Sequence, residues 1–146
     1  MNKLFDLSGR ISLVTGGNGG LGLAMAEGLA AAGSNIIIAA RDQEKISQAV
    51  STIKSYGVRV EGICVDVTQE SQIIDMVSKS IDIFGKIDVL VNNAGTTVRK
   101  EPQNLSAEEW DNVIDVNLRS AFLSSREVYP HMKNQGGGKI INIGSM

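Results

Sequence analysis

The stretch that decides the fold is Thr15-Gly16-Gly17-Asn18-Gly19-Gly20-Leu21-Gly22. It follows an apolar run at residues 11–14 and precedes a Leu- and Ala-rich run at residues 21–32, which predict a strand and a helix. Glycine permits a tight turn and lets a phosphate approach the backbone without a Cβ in the way. The helix N-terminus that follows offers free N–H groups to an anion. The stretch therefore predicts a turn that binds the phosphates of a nucleotide.

The glycines fit two known spacings. Gly17, Gly19 and Gly22 match G-x-G-x-x-G, whereas Gly16, Gly20 and Gly22 match G-x-x-x-G-x-G. No Lys-Ser or Lys-Thr follows, so the P-loop pattern of nucleoside triphosphatases is excluded. A glycine-rich turn without a ligand is the alternative, and the position at the first strand-to-helix turn favours nucleotide binding.

The rest of the chain alternates short β-branched runs with helix-like stretches. This alternation predicts an α/β fold with a doubly wound, Rossmann-like parallel sheet in a single domain over residues 1–146. A capping box, Ser106 to Glu109, opens a long last helix, which we expect Pro130 to kink or end. The predicted strands are residues 11–14, 36–40, 58–65, 87–91 and 139–143. The sheet is then cut short after its fifth strand, whose outer edge would be unpaired and would favour association.

Composition excludes several classes of function. Fourteen Lys and Arg against sixteen Asp and Glu give a net charge of −2, which does not favour a nucleic-acid partner. The single cysteine, Cys64, cannot form an internal disulfide, and a single histidine, His131, makes a His/Cys metal site improbable. The first residues carry no apolar signal segment, and no apolar run is long enough to span a membrane. We therefore expect a cytoplasmic protein without a metal.

The end of the second predicted strand bears on the choice of dinucleotide. A carboxylate there would bind a ribose 2′-hydroxyl, whereas Arg favours a 2′-phosphate. Here the strand ends in Ala39-Ala40 and Arg41 follows, which favours NADP over NAD. The alternative is that Arg41 is a solvated charge and that Asp42 only caps the next helix.

An asparagine stands inside an apolar stripe of the long helix. The stripe has helical spacing, which predicts that the amide of Asn117 is buried and has a specific structural or chemical task. Its apolar members are Trp110, Val113, Ile114, Leu118, Ala121 and Phe122.

Four segments together resemble the short-chain dehydrogenase/reductase family. They are the TGxxxGxG form at residues 15–22, Asn92-Asn93-Ala94-Gly95, Asn117 in the long helix, and Ser145 after the fifth strand. The likeness runs from about Leu7 to the last residue, and residues 5–9 and 96–100 look similar to sugar-acid dehydrogenases of the gluconate type. The resemblance implies an oxidoreductase that moves a hydride between NAD(P) and a small carbonyl or alcohol, with 3-ketoacyl-type reductases as an alternative.

The resemblance also assigns roles. Asn117 would organise the proton relay, and Ser145 would hydrogen-bond the substrate oxygen. Asp66 would contact the adenine, although a turn-capping role is the alternative. With the glycine turn and Arg41, the predicted cofactor-binding residues are Gly16, Asn18, Gly19, Gly20, Leu21, Gly22, Arg41, Asp66, Val67, Asn93, Ala94 and Gly95. Arg99 and Lys100 would face a substrate carboxylate, or would be only a solvated basic loop.

Two departures from the family pattern matter. NADP-preferring members often carry a basic residue where this chain has Gly19, so the preference depends on Arg41. The family's catalytic Tyr and Lys follow the serine, and Tyr129 with Lys133 precedes it, so that pair is a coincidence of spacing. We therefore expect this chain to be the cofactor-binding part of a longer enzyme, and an intact mass at the chain's own value together with robust turnover would contradict this.

The sequence also allows two other interpretations of its function. A non-catalytic dinucleotide-binding module would bind the cofactor without turnover. A different Rossmann-like enzyme, such as a methyltransferase, would bind S-adenosylmethionine instead. In complete family members the long helix commonly forms the oligomer interface, so a homo-oligomer is expected.

Overall fold

A parallel five-stranded sheet forms the centre of the computed structural model, which describes residues 3–144. The strand order is β3-β2-β1-β4-β5, as expected for a doubly wound sheet. The strands are β1 Ile11–Thr15, β2 Asn35–Ala40, β3 Val60–Cys64, β4 Val89–Asn92 and β5 Lys139–Asn142. The helices are α1 Gly20–Ala31, α2 Gln43–Lys54, α3 Glu70–Phe84, α4 Ala107–Ile114 and α5 Ser120–Asn134. Ser145, predicted as catalytic, lies outside the described residues.

Helices cover both faces of the inner strands, and alternate residues of each strand supply the two cores. In β1, Leu13 faces the layer of α3 and α5 while Val14 faces the layer of α1 and α2. All five residues of β1 are buried, as expected for a central parallel strand. The described residues of β5 pair only with β4, and all four are exposed.

The long helix differs from the expectation in where it is interrupted. Five residues of π-helix, Asp115–Arg119, join α4 to α5, and Pro130 lies inside α5, which continues to Asn134. Proline removes one backbone donor, and the carbonyl of Arg126 that would have accepted from it lies on an exposed side of the helix, where water can bind it. Of the two expected effects, a kink or an end at Pro130, the structure contradicts the end, because α5 continues past Pro130.

Only part of the predicted apolar stripe is packed, because Val113, Ile114 and Ala121 are half-buried and the other three members are exposed. Trp110, Leu118 and Phe122 are 57%, 64% and 60% exposed. The buried side of α5 and the π-helix carries Val116, Leu123, Val128 and Met132 instead. The helix has two apolar faces, and helical spacing alone does not say which of them meets the core.

A buried carboxylate joins the first and fourth strands at the end of the sheet where both begin. Asp88, 6% exposed, accepts hydrogen bonds from the backbone N–H of Ile11 at 2.9 Å and from Arg10 Nη1 at 3.0 Å. It also pairs with Lys86 Nζ at 2.9 Å. Burial alone would raise the pKa of Asp88, but these bonds outweigh it and hold the pKa below its usual value.

We expect Asp88→Asn to destabilise the fold at neutral pH by about 2 kcal/mol, because charge-assisted hydrogen bonds are lost. A lowered folded-state pKa means that the carboxylate stabilises the protein above the unfolded pKa of about 3.9 and that this contribution is lost as pH falls through the folded value. Urea unfolding at pH 7 and in acid should therefore show a gap between wild type and variant that narrows in acid. Asp75→Asn, on the exposed face of α3, is the control. A gap independent of pH would contradict this account.

Candidate functional site

A cavity of about 840 Å³ opens at the carboxyl ends of the strands, where β1 has β2 on one side and β4 on the other. This topological switch point is where doubly wound sheets bind ligands. Its wall consists of Gly16, Asn18, Gly19, Leu21, Gly22, Ala39, Ala40, Arg41, Asp42, Lys45, Val65, Asp66, Val67, Asn93, Ala94, Gly95 and Val116. Every predicted cofactor-binding residue except Gly20 is in this wall. Gly20 lies in the same turn with φ +52 and begins α1.

The glycine turn is tightly packed at Gly16, Gly17 and Gly22, and most tightly at Gly22. A Cβ on Gly22 would lie 2.2 Å from the carbonyl oxygen of Gly16 and 2.4 Å from Nδ2 of Asn93. Gly16 has φ +64, and a Cβ there would lie 3.1 Å from Cα of Ala94. The turn is thus packed directly against the backbone that follows β4, which forms a cradle from main-chain atoms.

The N-terminus of α1 is open toward this cradle. Its N-cap, Gly19, makes no side-chain capping bond, and the first turn carries no acidic residue. A Cβ on Gly19 would meet nothing within 4 Å, so the space beside the helix N-terminus is open at this point. Uncapped N–H groups at the positive end of a helix dipole suit a pyrophosphate, so the residues present fit a dinucleotide.

A buried threonine holds the two sides of the cradle together. The hydroxyl of Thr15 accepts hydrogen bonds from the N–H groups of Asn93 at 3.0 Å and Ala94 at 3.1 Å. In return, Nδ2 of Asn93 donates to the carbonyl oxygens of Thr15 at 3.1 Å and Gly16 at 3.2 Å. The Asn-Asn-Ala-Gly segment thus positions the glycine turn, a role that its spacing in the sequence does not reveal.

Two cations lie in the cavity wall near the end of β2: Arg41 directly after the strand and Lys45 on α2. Arg41 was predicted, and its guanidinium makes no ion pair with any residue from 3 to 144. Lys45, on the first turn of α2, was missed by the sequence reasoning. The N-cap at Asp42 could have indicated Lys45, because a residue three positions after the N-cap lies one helical turn further on the same face of the helix.

Asp66 fixes the turn before α3 and also lies in the cavity wall. Its Oδ1 accepts hydrogen bonds from the N–H of Thr68 at 3.0 Å and from the hydroxyl of Thr68 at 2.8 Å, so it fixes the turn before α3. Asp66 also lies in the cavity wall beside Val67. The structural role and the binding position are therefore compatible.

Asn117 is exposed, so the prediction of a buried amide was wrong. Both polar atoms of its side chain are nevertheless satisfied: Oδ1 accepts from the N–H of Thr96 at 2.7 Å, and Nδ2 donates to the carbonyl oxygen of Thr96 at 2.9 Å. Asn117 lies within the π-helical segment, a feature that often accompanies functional sites. It ties the helix to the loop that leaves Gly95.

The basic loop at residues 96–100 holds one free and one engaged cation. Lys100 pairs with Glu109, whose Oε2 also accepts from the N–H of Ser106 in the capping box. The hydrogen bond from Lys100 lowers the pKa of Glu109. Arg99 has no ion pair within the part of the chain that the structure describes.

Two further features concern metals and membranes. Among residues 3–144, no three His, Cys, Asp or Glu side chains are grouped so that they would hold a metal ion. None of the helices in that range combines the length and apolar character needed to cross a bilayer.

Residues 10–146 match the family model of the short chain dehydrogenases. The chain is 38% identical over 144 residues to 2-dehydro-3-deoxy-D-gluconate 5-dehydrogenase of Formosa agariphila, covering 98% of this chain and 54% of the relative. It is 36% identical over 143 residues to gluconate 5-dehydrogenase of Gluconobacter oxydans, covering 98% and 56%. The chain thus spans about half the length of the curated relatives that it matches.

Solved structures are similar over the same range. A protein of Agrobacterium tumefaciens assigned as a gluconate dehydrogenase is 47% identical, with a TM-score of 0.91 over 97% of this chain and 56% of that one. An NAD⁺-bound xylitol dehydrogenase is 34% identical, with a TM-score of 0.92 over 95% and 54%. L-sorbose reductase of Gluconobacter frateurii, complexed with NADPH and L-sorbose, is 33% identical, with a TM-score of 0.91 over 94% and 53%.

Proposed function

This chain belongs to the short-chain dehydrogenase family, and from that premise we propose that it serves an oxidoreductase that transfers a hydride between a nicotinamide dinucleotide and a carbonyl or secondary alcohol. The single observation that carries the proposal is the cavity at the switch point of the sheet, walled by the glycine turn and the segment after β4, with the N-terminus of α1 open toward it. The dinucleotide, when bound, supplies or accepts the hydride.

Different residues of the cavity wall contact different parts of the dinucleotide. Gly16, Asn18, Gly20 and Leu21, in the glycine turn and at the open end of α1, lie against the pyrophosphate and offer it main-chain N–H groups. Asp66 and Val67 contact the adenine. Asn93, Ala94 and Gly95 flank the cofactor, and the remaining proposed contacts to the dinucleotide are Gly19, Gly22 and Arg41.

We further propose that NADP is preferred over NAD. The last residue of β2 is Ala40, which has no carboxylate to accept a hydrogen bond from a ribose 2′-hydroxyl. Arg41 stands in the wall with its guanidinium unpaired among residues 3–144, and a guanidinium binds a phosphate with two parallel hydrogen bonds. One similar structure holds NAD⁺ and another holds NADPH, so the preference of this chain rests on its own residues.

For the chemical step we assign positions to two residues. Asn117 fixes the loop at Thr96 through two hydrogen bonds and so shapes the entrance beyond Gly95. Ser145 would hold the oxygen of the substrate, as the resemblance implies, with the proton transfer left to the Tyr and Lys that follow the serine in the family.

The substrate that we propose is a small sugar acid such as gluconate. Two curated relatives are named as gluconate-type dehydrogenases. Arg99 is the cation of the basic loop that remains available for a carboxylate, because Lys100 is held by Glu109. As part of the proposal, the protein works in the cytoplasm, where a free thiol such as Cys64 stays reduced.

We propose a second copy of the chain as partner. The face with Trp110, Leu118 and Phe122 is exposed and apolar, and a symmetric contact would bury it. A monomer by light scattering at micromolar concentration would contradict this.

Binding and turnover measured on one sample test the proposed function. We expect the fluorescence of NADPH to change on titration with the protein, with a dissociation constant at least tenfold below that of NADH. Gluconate with NADP⁺ is then added, and NADPH is followed by absorbance. Binding without turnover by this chain is expected if the Tyr and Lys that follow the serine in the family are needed, so turnover is also measured on the full-length protein. Binding without turnover there favours the non-catalytic module. Binding of S-adenosylmethionine with neither dinucleotide bound would overturn the proposal.

A further inference from the structure

Lys45 stands in the wall of the cavity, one helical turn beyond Arg41, although no motif in the sequence points to it. It occupies the third position of α2, because the N-cap of that helix is Asp42 and the N–H of Lys45 donates to Oδ1 of Asp42 at 3.0 Å. The capping bond fixes where the helix begins. It thereby fixes the base of the Lys45 side chain at the mouth of the cavity.

The position is electrostatically unfavourable for a lysine. The first turn of a helix is the positive end of its dipole, where a carboxylate is stabilised and a cation is not. The only ion pair of Lys45 among residues 3–144 joins its Nζ to Oδ2 of Asp42 at 4.0 Å, and the side chain is 65% exposed. A long, exposed pair of this kind contributes little to stability, so the fold gives no reason for a cation here.

The two carboxylates of the cavity wall, Asp42 and Asp66, each accept from a backbone N–H with one oxygen. Asp42 caps α2 through Oδ1, and Asp66 fixes the turn at Thr68. The guanidinium of Arg41 makes no ion pair within the described residues. Two cations therefore flank the end of β2, at the place where a 2′-phosphate of about −2 charge would lie.

We propose that Lys45 is the second cation of the 2′-phosphate subsite and determines dinucleotide specificity together with Arg41. It takes the place of the basic residue that Gly19 does not supply in the glycine turn. Arg41 gives directed hydrogen bonds, and Lys45 adds a mobile point charge on a flexible stem. The inference rests on the proposed function, because it assumes that the cavity binds a dinucleotide.

Direct binding of NADPH and NADH to Lys45→Gln tests this. We expect the affinity for NADPH to fall about tenfold and that for NADH to change less than twofold, since only NADPH carries the phosphate. Lys45→Arg should keep the preference, because it keeps the charge. Lys54→Gln is the matched control: it removes a lysine from the same helix that lines a separate groove beside β3, and it should leave both affinities unchanged.

The outcomes separate the two proposals. If Arg41→Gln abolishes the preference for NADPH while Lys45→Gln leaves it intact, Arg41 reads the phosphate alone and the role of Lys45 is overturned. If the wild-type chain binds neither dinucleotide, the proposed function itself fails. If Lys45→Gln weakens NADH as much as NADPH, the lysine acts on the shared part of the ligand, which also overturns a role in specificity.

Discussion

Gly22→Ala should lower the affinity for either dinucleotide at least tenfold and the free energy of unfolding by about 1–3 kcal/mol. In an ordinary helix this substitution stabilises by up to about 1 kcal/mol, because alanine loses less backbone entropy than glycine. Here the added Cβ would lie 2.2 Å from the carbonyl oxygen of Gly16, a backbone atom that cannot rotate away. The turn must then separate from Asn93, which opens the cradle. Titration of NADPH fluorescence and urea unfolding measure the two effects.

Gly28→Ala is the matched control, because it makes the same change on the same helix at a position where a Cβ meets nothing within 4 Å. It should leave dinucleotide affinity unchanged and raise stability by up to about 1 kcal/mol. Equal affinity for NADPH in the Gly22 and Gly28 variants would mean that the close packing of the turn is not needed for binding.

The order of the sheet followed from the sequence because it depends on local signals that agree with one another. The apolar run at residues 36–40 is too short for a helix and is buried on both faces, as a central parallel strand must be. Once strands and helices alternate, the rules for crossover connections leave few arrangements. The glycine turn then lies at the switch point by topology alone.

The sequence-based predictions were wrong where one local pattern is compatible with two ways of packing the helix. The spacing of Trp110, Leu118 and Phe122 is that of a packed face, yet Val116 and Leu123 on the other side meet the core. Asn117 was placed inside the stripe and hence predicted to be buried. Its task is instead a pair of hydrogen bonds to Thr96, a partner 21 residues away that spacing within the helix does not indicate.

The position of Lys45 and the hydrogen bonds of Thr15 were missed for a different reason. A lysine on a predicted helix looks like a solvated charge, and the glycine motif that begins with Thr15 does not indicate what its hydroxyl contacts. Their roles depend on what other strands bring next to them. For Thr15 that neighbour is the segment after β4, about 78 residues further along the chain.

Thr15→Val is the second change for which we expect a large effect, a loss of about 2–4 kcal/mol in the free energy of unfolding. Valine matches threonine in shape and in preference for strands, so β1 itself should persist. The hydroxyl, however, accepts from the N–H groups of Asn93 and Ala94 and donates to the carbonyl oxygen of Val91 at 3.3 Å. A methyl group in place of the hydroxyl leaves these backbone groups without their partner. The loss is costly because residue 15 is only 2% exposed to solvent. Urea unfolding at pH 7 measures the loss.

Thr15→Ser separates the hydroxyl from the methyl group. It keeps the three hydrogen bonds and removes one buried carbon, for which we expect a cost of about 1 kcal/mol. The valine variant should therefore be the less stable of the two, and it should also bind NADPH more weakly, because Asn93 and Ala94 are no longer fixed against the glycine turn. If the Thr15→Val variant were as stable as the Thr15→Ser variant, packing of the side chain rather than its hydrogen bonds would hold the cradle together. The affinity for NADPH would then depend on the volume of residue 15 and not on its hydroxyl.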